Sequence, residues 1–206
     1  MILKINKKKF IYLISPNNIS NQFYEDLKKV LSTSKVSFFQ MRLKKYSFKQ
    51  KITIGKKIFQ ICKKNDVKFL VNDDPLLAKK LNADGCHLGQ KDKDIIEARK
   101  MLGNKIIGIT CHNSIKMAKN AIKNDANYLA FGAFFSSRTK KAKYKATTKI
   151  LDKTKKLTKA PLVAIGGINC SNYKKLLLNN ANFLAISGYI WNNKKYKPLE
   201  AIEKLK

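Results

Sequence analysis

Two carboxylates stand out in a chain that is otherwise rich in lysine. Asp73 directly follows an apolar run, and Asp92 follows a second short run at residues 85–89. Between the runs, Asp74 and Pro75 are typical of a helix start. The stretch therefore predicts a strand, a helix and a parallel second strand, with Asp73 and Asp92 at one edge of the sheet. Two close carboxylates repel each other unless a cation lies between them, and Mg²⁺ is the usual cation beside a phosphate.

Helix capping is the alternative role for these acids, since a carboxylate near a helix N-terminus is favourable. Asp74 and Asp94 stand at positions that suit capping, which leaves Asp73 and Asp92 for a metal. Six of the 13 acidic residues fall between positions 73 and 97, so the neighbourhood is acidic in a chain of net charge +31. We therefore expect Mg²⁺ as the cofactor, with Asp73 and Asp92 as its ligands.

Gln40, Arg42 and Lys44 alternate at the end of another apolar run. A spacing of two places three side chains on one face of a strand. Arginine and lysine side by side repel each other unless an anion joins them, and a diphosphate is such an anion. An ordinary strand end that reaches solvent is the alternative, and this motif alone does not decide between the two.

Two later apolar runs end in small residues, at 166–168 (GGI) and 186–188 (ISG). Small residues let backbone N–H groups approach a phosphate, whereas a tight turn that needs glycine is the alternative. Because both runs carry the pattern, we favour a phosphate site. The loop at 136–140 (SSRTK) offers hydroxyls, a guanidinium and an ammonium that could wrap an anionic substrate, although a plain loop is the alternative.

The two histidines have different settings. His87 lies in the middle of a predicted strand, which favours an interior histidine with satisfied hydrogen bonds. His112 follows Thr110 at a predicted strand end, where it could touch a substrate.

The elements that must position these residues form a regular series. Eight apolar runs are each followed by a stretch with helical spacing, and nearly continuous apolar strands suit a parallel sheet covered on both faces. The count of eight predicts an α/β fold, a single-domain (β/α)₈ TIM barrel over residues 1–206, with the chemistry at the C-terminal ends of the strands. The predicted strands are 10–15, 36–44, 68–72, 85–89, 105–110, 128–135, 161–168 and 183–190.

Composition narrows the partners. The 44 basic residues and pI of about 10.1 are typical of nucleic-acid binding. Lysine is spread over every segment, however, and no basic and aromatic residues alternate, so nucleic acid is not expected. The four cysteines are isolated from one another, and no apolar run reaches transmembrane length. We expect a cytoplasmic protein with small-molecule substrates and no membrane partner; the oligomeric state stays open, a homodimer included.

In this order the motifs resemble the thiamine phosphate synthase family, from the first strand to the eighth. The most specific parts are residues 40–44, 72–92, the pair Thr139 and Lys140, and residues 164–168. The family joins hydroxymethylpyrimidine diphosphate to thiazole phosphate and releases diphosphate, with Mg²⁺. By position, the resemblance implies a binding site for the pyrimidine diphosphate at Gln40, Met41, Arg42, Leu43, Lys44, Asn72, Thr110 and Lys140. It implies a thiazole phosphate site at Ser137, Arg138, Thr139, Gly167, Ile186 and Ser187, and Mg²⁺ ligands at Asp73 and Asp92.

Departures from the family pattern are few. Thr110 stands where the family usually has serine, which keeps the hydroxyl. Ala133 replaces a usual proline, and Ser137 replaces a usual threonine. These changes loosen a loop more than they remove chemistry.

The family mechanism is dissociative, so charge grows on the departing diphosphate. Arg42, Lys44, Thr110 and Lys140 are therefore the expected catalytic residues, and the cations among them stabilise the transition state. Two alternatives stay open. A thiazole tautomerase would use His112 but would have no use for the Arg42 and Lys44 face or for the acid pair. A non-catalytic basic barrel would bind nucleic acid without turnover.

Overall fold

A computed structural model describes residues 8–136 and 144–206. Within these residues, eight parallel strands close into a barrel in sequence order, which confirms the predicted (β/α)₈ fold. The strands are β1 (Ile11–Ile14), β2 (Val36–Met41), β3 (Lys68–Asn72), β4 (Gly85–Leu88), β5 (Ile106–His112), β6 (Tyr128–Gly132), β7 (Leu162–Ile165) and β8 (Phe183–Ile186). The helices are α1 (Asn21–Ser32), α2 (Phe48–Lys64), α3 (Pro75–Lys80), α4 (Ile95–Leu102), α5 (Ile115–Lys123), α6 (Thr148–Lys155), α7 (Tyr173–Leu178), α8 (Gly188–Trp191) and α9 (Pro198–Glu203).

Alternation along each strand divides the core into two layers. On β1, Ile11 and Leu13 pack in the outer layer between the barrel and the helices, while Tyr12 and Ile14 pack inside the barrel. This is the two-residue period of a strand applied to a closed sheet. Both layers are buried, which explains why the strands read as nearly continuous apolar runs.

Four predicted strands are too long, those at 36–44, 128–135, 161–168 and 183–190, and the ends of β2 and β8 show why. β2 ends at Met41 because the next backbone N–H, that of Arg42, donates to the hydroxyl of Ser15 instead of to a neighbouring strand. β8 ends at Ile186 because the chain turns into α8, in which the N–H groups of Ile190 and Trp191 both donate to the carbonyl of Ser187.

The expected helix caps are confirmed. Oδ1 of Asp74 accepts the N–H of Leu77 at 2.9 Å, and Oδ1 of Asp94 accepts the N–H of Ile96 at 2.7 Å. Within residues 8–136 and 144–206, no helix is long and apolar enough to cross a membrane.

Candidate active site

Asp73 and Asp92 lie together at the mouth of the barrel. Asp73 directly follows β3, and its N–H donates to the carbonyl of His87 on β4 at 2.8 Å. Asp92 lies in the loop after β4, where Oδ2 accepts the N–H of Gly89 at 2.7 Å. Burial and hydrogen-bond contact with the carboxyl of Asp73 raise the pKa of Asp92, and the charge of Lys44 opposes that rise. The predicted meeting of the two acids is confirmed.

The donor set suits a hard divalent cation. Two carboxylates converge here, and the described residues contain no group of three or more His, Cys, Asp or Glu side chains that could hold a metal. A cation at this site would therefore keep open positions for water and for substrate oxygens, which is how Mg²⁺ usually binds beside phosphates. Burial is the main cause that raises the pKa of Asp92, and the neighbouring Asp73 carboxyl raises it further, so a cation between the two carboxylates would relieve their repulsion. The residues fit Mg²⁺.

The cationic motif after β2 reaches the acid pair. Nζ of Lys44 lies 3.2 Å from Oδ2 of Asp73, although the Lys44 side chain is 59% exposed. The backbone of Arg42 is held by Ser15, whose hydroxyl accepts the Arg42 N–H at 2.9 Å and donates to the Arg42 carbonyl at 3.4 Å. Lys44 and Asp73 thus lie at one mouth although they follow different strands. Ser15 fixes Arg42, at the start of the segment that carries Lys44.

Gln40 and Asn72 form a polar pair on adjacent strands. The side chain of Gln40 is buried, and its Nε2 donates to Oδ1 of Asn72. That bond leaves the Gln40 carbonyl oxygen and the Asn72 amide NH₂ without a hydrogen-bond partner in the described part of the chain. The pair therefore presents one acceptor and one donor side by side.

Three residues with expected binding roles are placed differently. Met41, Leu43 and Ile186 are buried in the outer layer, because each lies one position away from the inward-facing residues. A substrate at the mouth could contact these residues only through their backbone atoms, or through a cavity beside the barrel. Met41 and Leu43 do line a cavity of about 390 Å³, which Lys44 and Asp73 also line.

Thr110 joins a buried network. Nε2 of His87 lies 2.8 Å from Oγ1 of Thr110, and Nδ1 of His87 lies 2.8 Å from the hydroxyl of Tyr128. The Tyr128 hydroxyl is in turn 2.8 Å from that of Tyr12. Burial lowers the pKa of His87 to about 4, and the charge of Asp73 only partly offsets this. The interior, satisfied histidine is confirmed.

The structure adds three residues that sequence reasoning missed. Tyr12 and Tyr128 lie in predicted strands, and Ser15 is the last residue of the first predicted strand. A hydroxyl within a predicted buried strand was the available signal for Tyr12 and Tyr128, because a buried hydroxyl requires a partner.

The glycines after β7 are required by the backbone. Gly166 and Gly167 have φ of +105° and +63°, and a Cβ on Gly167 would lie 2.3 Å from the carbonyl oxygen of Ser136. The tight turn is therefore present, and it brings the segment after β6 against the end of β7. Ser187 lies at the same mouth, where its hydroxyl donates to the carbonyl of Ser15 at 3.2 Å.

The other side of the mouth carries His112 and Tyr144. Their rings stack with centroids 4.3 Å apart and planes 25° apart. The carbonyl of Tyr144 also accepts the N–H of Ala133, the residue after β6, at 3.0 Å. Four residues with expected binding roles lie outside the described residues, which exclude 137–143; they are Ser137, Arg138, Thr139 and Lys140.

The chain is similar to known proteins along most of its length. Residues 11–190 match the family described as Thiamine monophosphate synthase. A thiamine-phosphate synthase of Pelagibacter ubique is 70% identical over 98% of this chain and 98% of that protein. One from Erythrobacter litoralis is 39% identical over 93% of this chain and 92% of its own. In structure, a thiamine phosphate pyrophosphorylase from Pyrococcus furiosus superposes with a TM-score of 0.85 at 28% identity, covering 97% of this chain and 94% of that one.

Proposed function

Because the chain belongs to the thiamine monophosphate synthase family, we propose that its barrel mouth joins a hydroxymethylpyrimidine diphosphate to thiazole phosphate. The products are thiamine phosphate and diphosphate, so the protein is a transferase. One observation supports this assignment most directly: Lys44, Asp73 and Asp92 meet at one mouth although they follow three different strands. A paired cation and two carboxylates suit a diphosphate bound with a divalent metal.

The diphosphate end is assigned to residues after β2, β3 and β4. Asp73 and Asp92 would hold Mg²⁺, which when bound supplies positive charge to the phosphate oxygens. Arg42 and Lys44 bind the same diphosphate, and the exposed ammonium of Lys44 is free to move from Asp73 to a phosphate oxygen. Thr110 adds a hydroxyl at the end of β5.

The pyrimidine ring is assigned to Gln40 and Asn72. An aminopyrimidine edge offers an N–H donor beside a ring-nitrogen acceptor. The Gln40 carbonyl and the Asn72 amide NH₂ offer the complementary acceptor and donor. Because Gln40 is buried, the ring would be oriented by a side chain that cannot swing away.

The reaction follows from where charge develops. The bond between the pyrimidine methylene carbon and the diphosphate oxygen breaks, and its electron pair leaves with the diphosphate. The lone pair of the thiazole nitrogen then forms the new C–N bond, so no general base is required. Arg42 and Lys44 face more negative charge in the transition state than in the ground state, and they accelerate the reaction for that reason.

The thiazole phosphate is assigned to the ends of β7 and β8. Gly167 and Ser187 lie there, and no side chain on Gly167 screens its backbone. Residues 137–140 complete this assignment by family resemblance. A tautomerase would bind only the thiazole phosphate and would have no role for the acid pair and Lys44, so the synthase is favoured. The described cysteines are free thiols, which suits a reducing compartment such as the cytoplasm.

The experiment is a direct assay. The protein is incubated with both substrates and Mg²⁺, with and without EDTA, and thiamine phosphate is measured by mass spectrometry. We expect product with Mg²⁺, none with EDTA, and recovery on adding excess Mg²⁺. Absence of product under all conditions would contradict the proposal.

Matched variants test the acid pair within the same assay. Asp92→Asn is expected to lose most turnover, roughly 100-fold or more. The capping acid Asp94, two residues away, serves as the control, and Asp94→Asn is expected to keep its activity. Equal losses in the two variants would remove Asp92 from the metal site.

A further inference from the structure

A chain of hydrogen-bonding side chains crosses the interior of the barrel and ends at the mouth. It runs from Tyr12 through Tyr128 and His87 to Thr110, with 2.8 Å between successive polar atoms. Tyr12 and Tyr128 are fully buried. Each contact could be donated from either side, so the direction of donation has to be worked out from the ends of the chain.

The direction is set at Tyr12. Among the described residues its hydroxyl has one hydrogen-bond partner, Tyr128, and its ring lies among apolar side chains. A buried hydroxyl proton without an acceptor costs free energy, so Tyr12 donates to Tyr128. Tyr128 then donates its own proton to Nδ1 of His87. Because Nδ1 acts as an acceptor, the proton of the neutral imidazole is on Nε2.

We propose that Tyr128 and His87 are positioning residues that reserve the hydroxyl proton of Thr110 for the substrate. Nε2–H donates to Oγ1 of Thr110, so the threonine proton is free to donate to an oxygen anion at the mouth. This inference rests on the proposed function, in which that anion is the diphosphate of the pyrimidine substrate. With the opposite direction, Thr110 would donate to His87 and would turn only lone pairs toward the diphosphate.

Gly108 is the residue that lets the two rings meet. It lies on β5 and is paired with His87 on β4 and with Tyr128 on β6. A Cβ on Gly108 would lie 1.8 Å from Cζ of Tyr128, so any side chain there would displace the tyrosine. The rings of His87 and Tyr128 are stacked, with centroids 5.6 Å apart and planes 14° apart. The contact between Tyr128 and His87 therefore depends on a glycine at this register position.

The first experiment reads the histidine tautomer in the free protein. The ¹⁵N resonances of the imidazole nitrogens are recorded near neutral pH, and a His112→Gln variant assigns the signals of His87. We expect protonated Nε2 and an Nδ1 that accepts a hydrogen bond. A proton on Nδ1, or a doubly protonated ring, would overturn the proposal. Because no substrate is present, this result does not depend on whether the proposed reaction occurs.

Variants then connect the tautomer to binding. In Tyr12→Phe the buried hydroxyl of Tyr128 becomes the end of the chain, and its proton still needs Nδ1 as an acceptor, so the protonated Nε2 signal should persist. The double variant Tyr12→Phe, Tyr128→Phe removes both hydroxyls, so neither is left buried without a partner. Nδ1 of His87 then loses the Tyr128 donor, and the imidazole proton should no longer be held on Nε2. We expect its KM for the pyrimidine diphosphate to rise roughly three- to tenfold, with a smaller change in kcat.

Controls separate positioning from a general structural effect. Tyr24→Phe removes a tyrosine hydroxyl on α1, outside the hydrogen-bonded chain from Tyr12 to Thr110, and should leave both KM values unchanged. Thr110→Val should show the same rise in KM. Thr110→Ser should keep the wild-type KM, because serine keeps the hydroxyl. Equal rises in KM for both substrates in the double variant, or no rise at all, would contradict the role of Tyr128.

Discussion

The ammonium nitrogen of Lys44 lies 3.2 Å from Oδ2 of Asp73, although the two residues follow different strands. Lys44 also lowers the pKa of Asp92, against the burial and the neighbouring carboxyl that raise it. The lysine therefore acts as the counter-charge of the acid pair in the absence of substrate. Its exposed side chain makes the ion pair weak enough to exchange for a phosphate.

Replacing Lys44 tests that exchange. In Lys44→Met, the diphosphate loses one charged donor, and hydrogen bonds to charged groups are worth about 1.5–3 kcal/mol. We expect kcat/KM for the pyrimidine diphosphate to fall about 10- to 100-fold, measured by initial rates at saturating Mg²⁺. Lys153→Met, which removes an exposed lysine from α6, controls for the loss of net charge. If both variants behave alike, Lys44 has no specific role.

Ser15 is expected to matter for both stability and binding. Its hydroxyl satisfies the N–H of Arg42, and its carbonyl accepts from Ser187. In Ser15→Ala the Arg42 N–H loses its partner, so unfolding free energy should fall by about 1–3 kcal/mol. The KM for the pyrimidine diphosphate should rise because Arg42 is less firmly placed. Urea unfolding and steady-state kinetics measure the two effects, with Ser32→Ala on the exposed face of α1 as the control.

Gly167 and Gly103 form a matched pair of glycines with positive φ. Gly103 has φ of +56° and open space around it, whereas a Cβ on Gly167 would meet the Ser136 carbonyl at 2.3 Å. Gly103→Ala should cost only the backbone strain, about 1–3 kcal/mol. Gly167→Ala should cost clearly more and should raise the KM for thiazole phosphate. Similar losses of stability in thermal unfolding would show that the crowding at Gly167 is relieved without cost.

His87 predicts a pH dependence of stability. Its pKa is about 4 in the folded protein and 6.5 in the unfolded chain, so between these values only the unfolded chain takes up the proton. The free energy of unfolding should therefore fall as pH drops from 6.5 to 4, by at most about 3 kcal/mol from this residue. Urea unfolding at a series of pH values measures the slope.

The control for this slope uses the other histidine. His87→Gln does not titrate in this range, so its stability should fall less steeply toward pH 4 than that of the wild type. His112→Gln should keep the wild-type slope, because His87 is still present. The same slope in all three proteins would show that His87 does not contribute to the pH dependence of the unfolding free energy.

Local patterns explain how much of the fold was predictable. The apolar runs and the helical spacing between them depend on neighbouring residues, and they correctly indicated eight strands and a closed barrel. Caps such as Asp74 and Asp94 are also local, since each bonds a backbone group two or three residues away. Strand ends were less predictable. The end of β2 depends on Ser15, a residue 27 positions earlier in the chain.

The candidate site likewise has features that the sequence predicts and features that it does not. The types and order of the polar residues at the strand ends were already visible in the sequence, because parallel strands of one barrel must all end at one mouth. The order of the motifs therefore predicts that Asp73 lies near Asp92, and the two acids do meet. Which side chains pair within the mouth was not visible, since such pairs join distant positions.

From the amino-acid sequence alone came the barrel, its family resemblance and the identity of most residues around the mouth, because these depend on local periodicity and on motif order. The tertiary structure alone decided that Lys44 pairs with Asp73, that Met41 and Leu43 turn into the outer core, and that Tyr12 is linked to Thr110 through Tyr128 and His87. All three relationships depend on strand register, which barrel closure sets, and the last one also requires the absence of a side chain at Gly108.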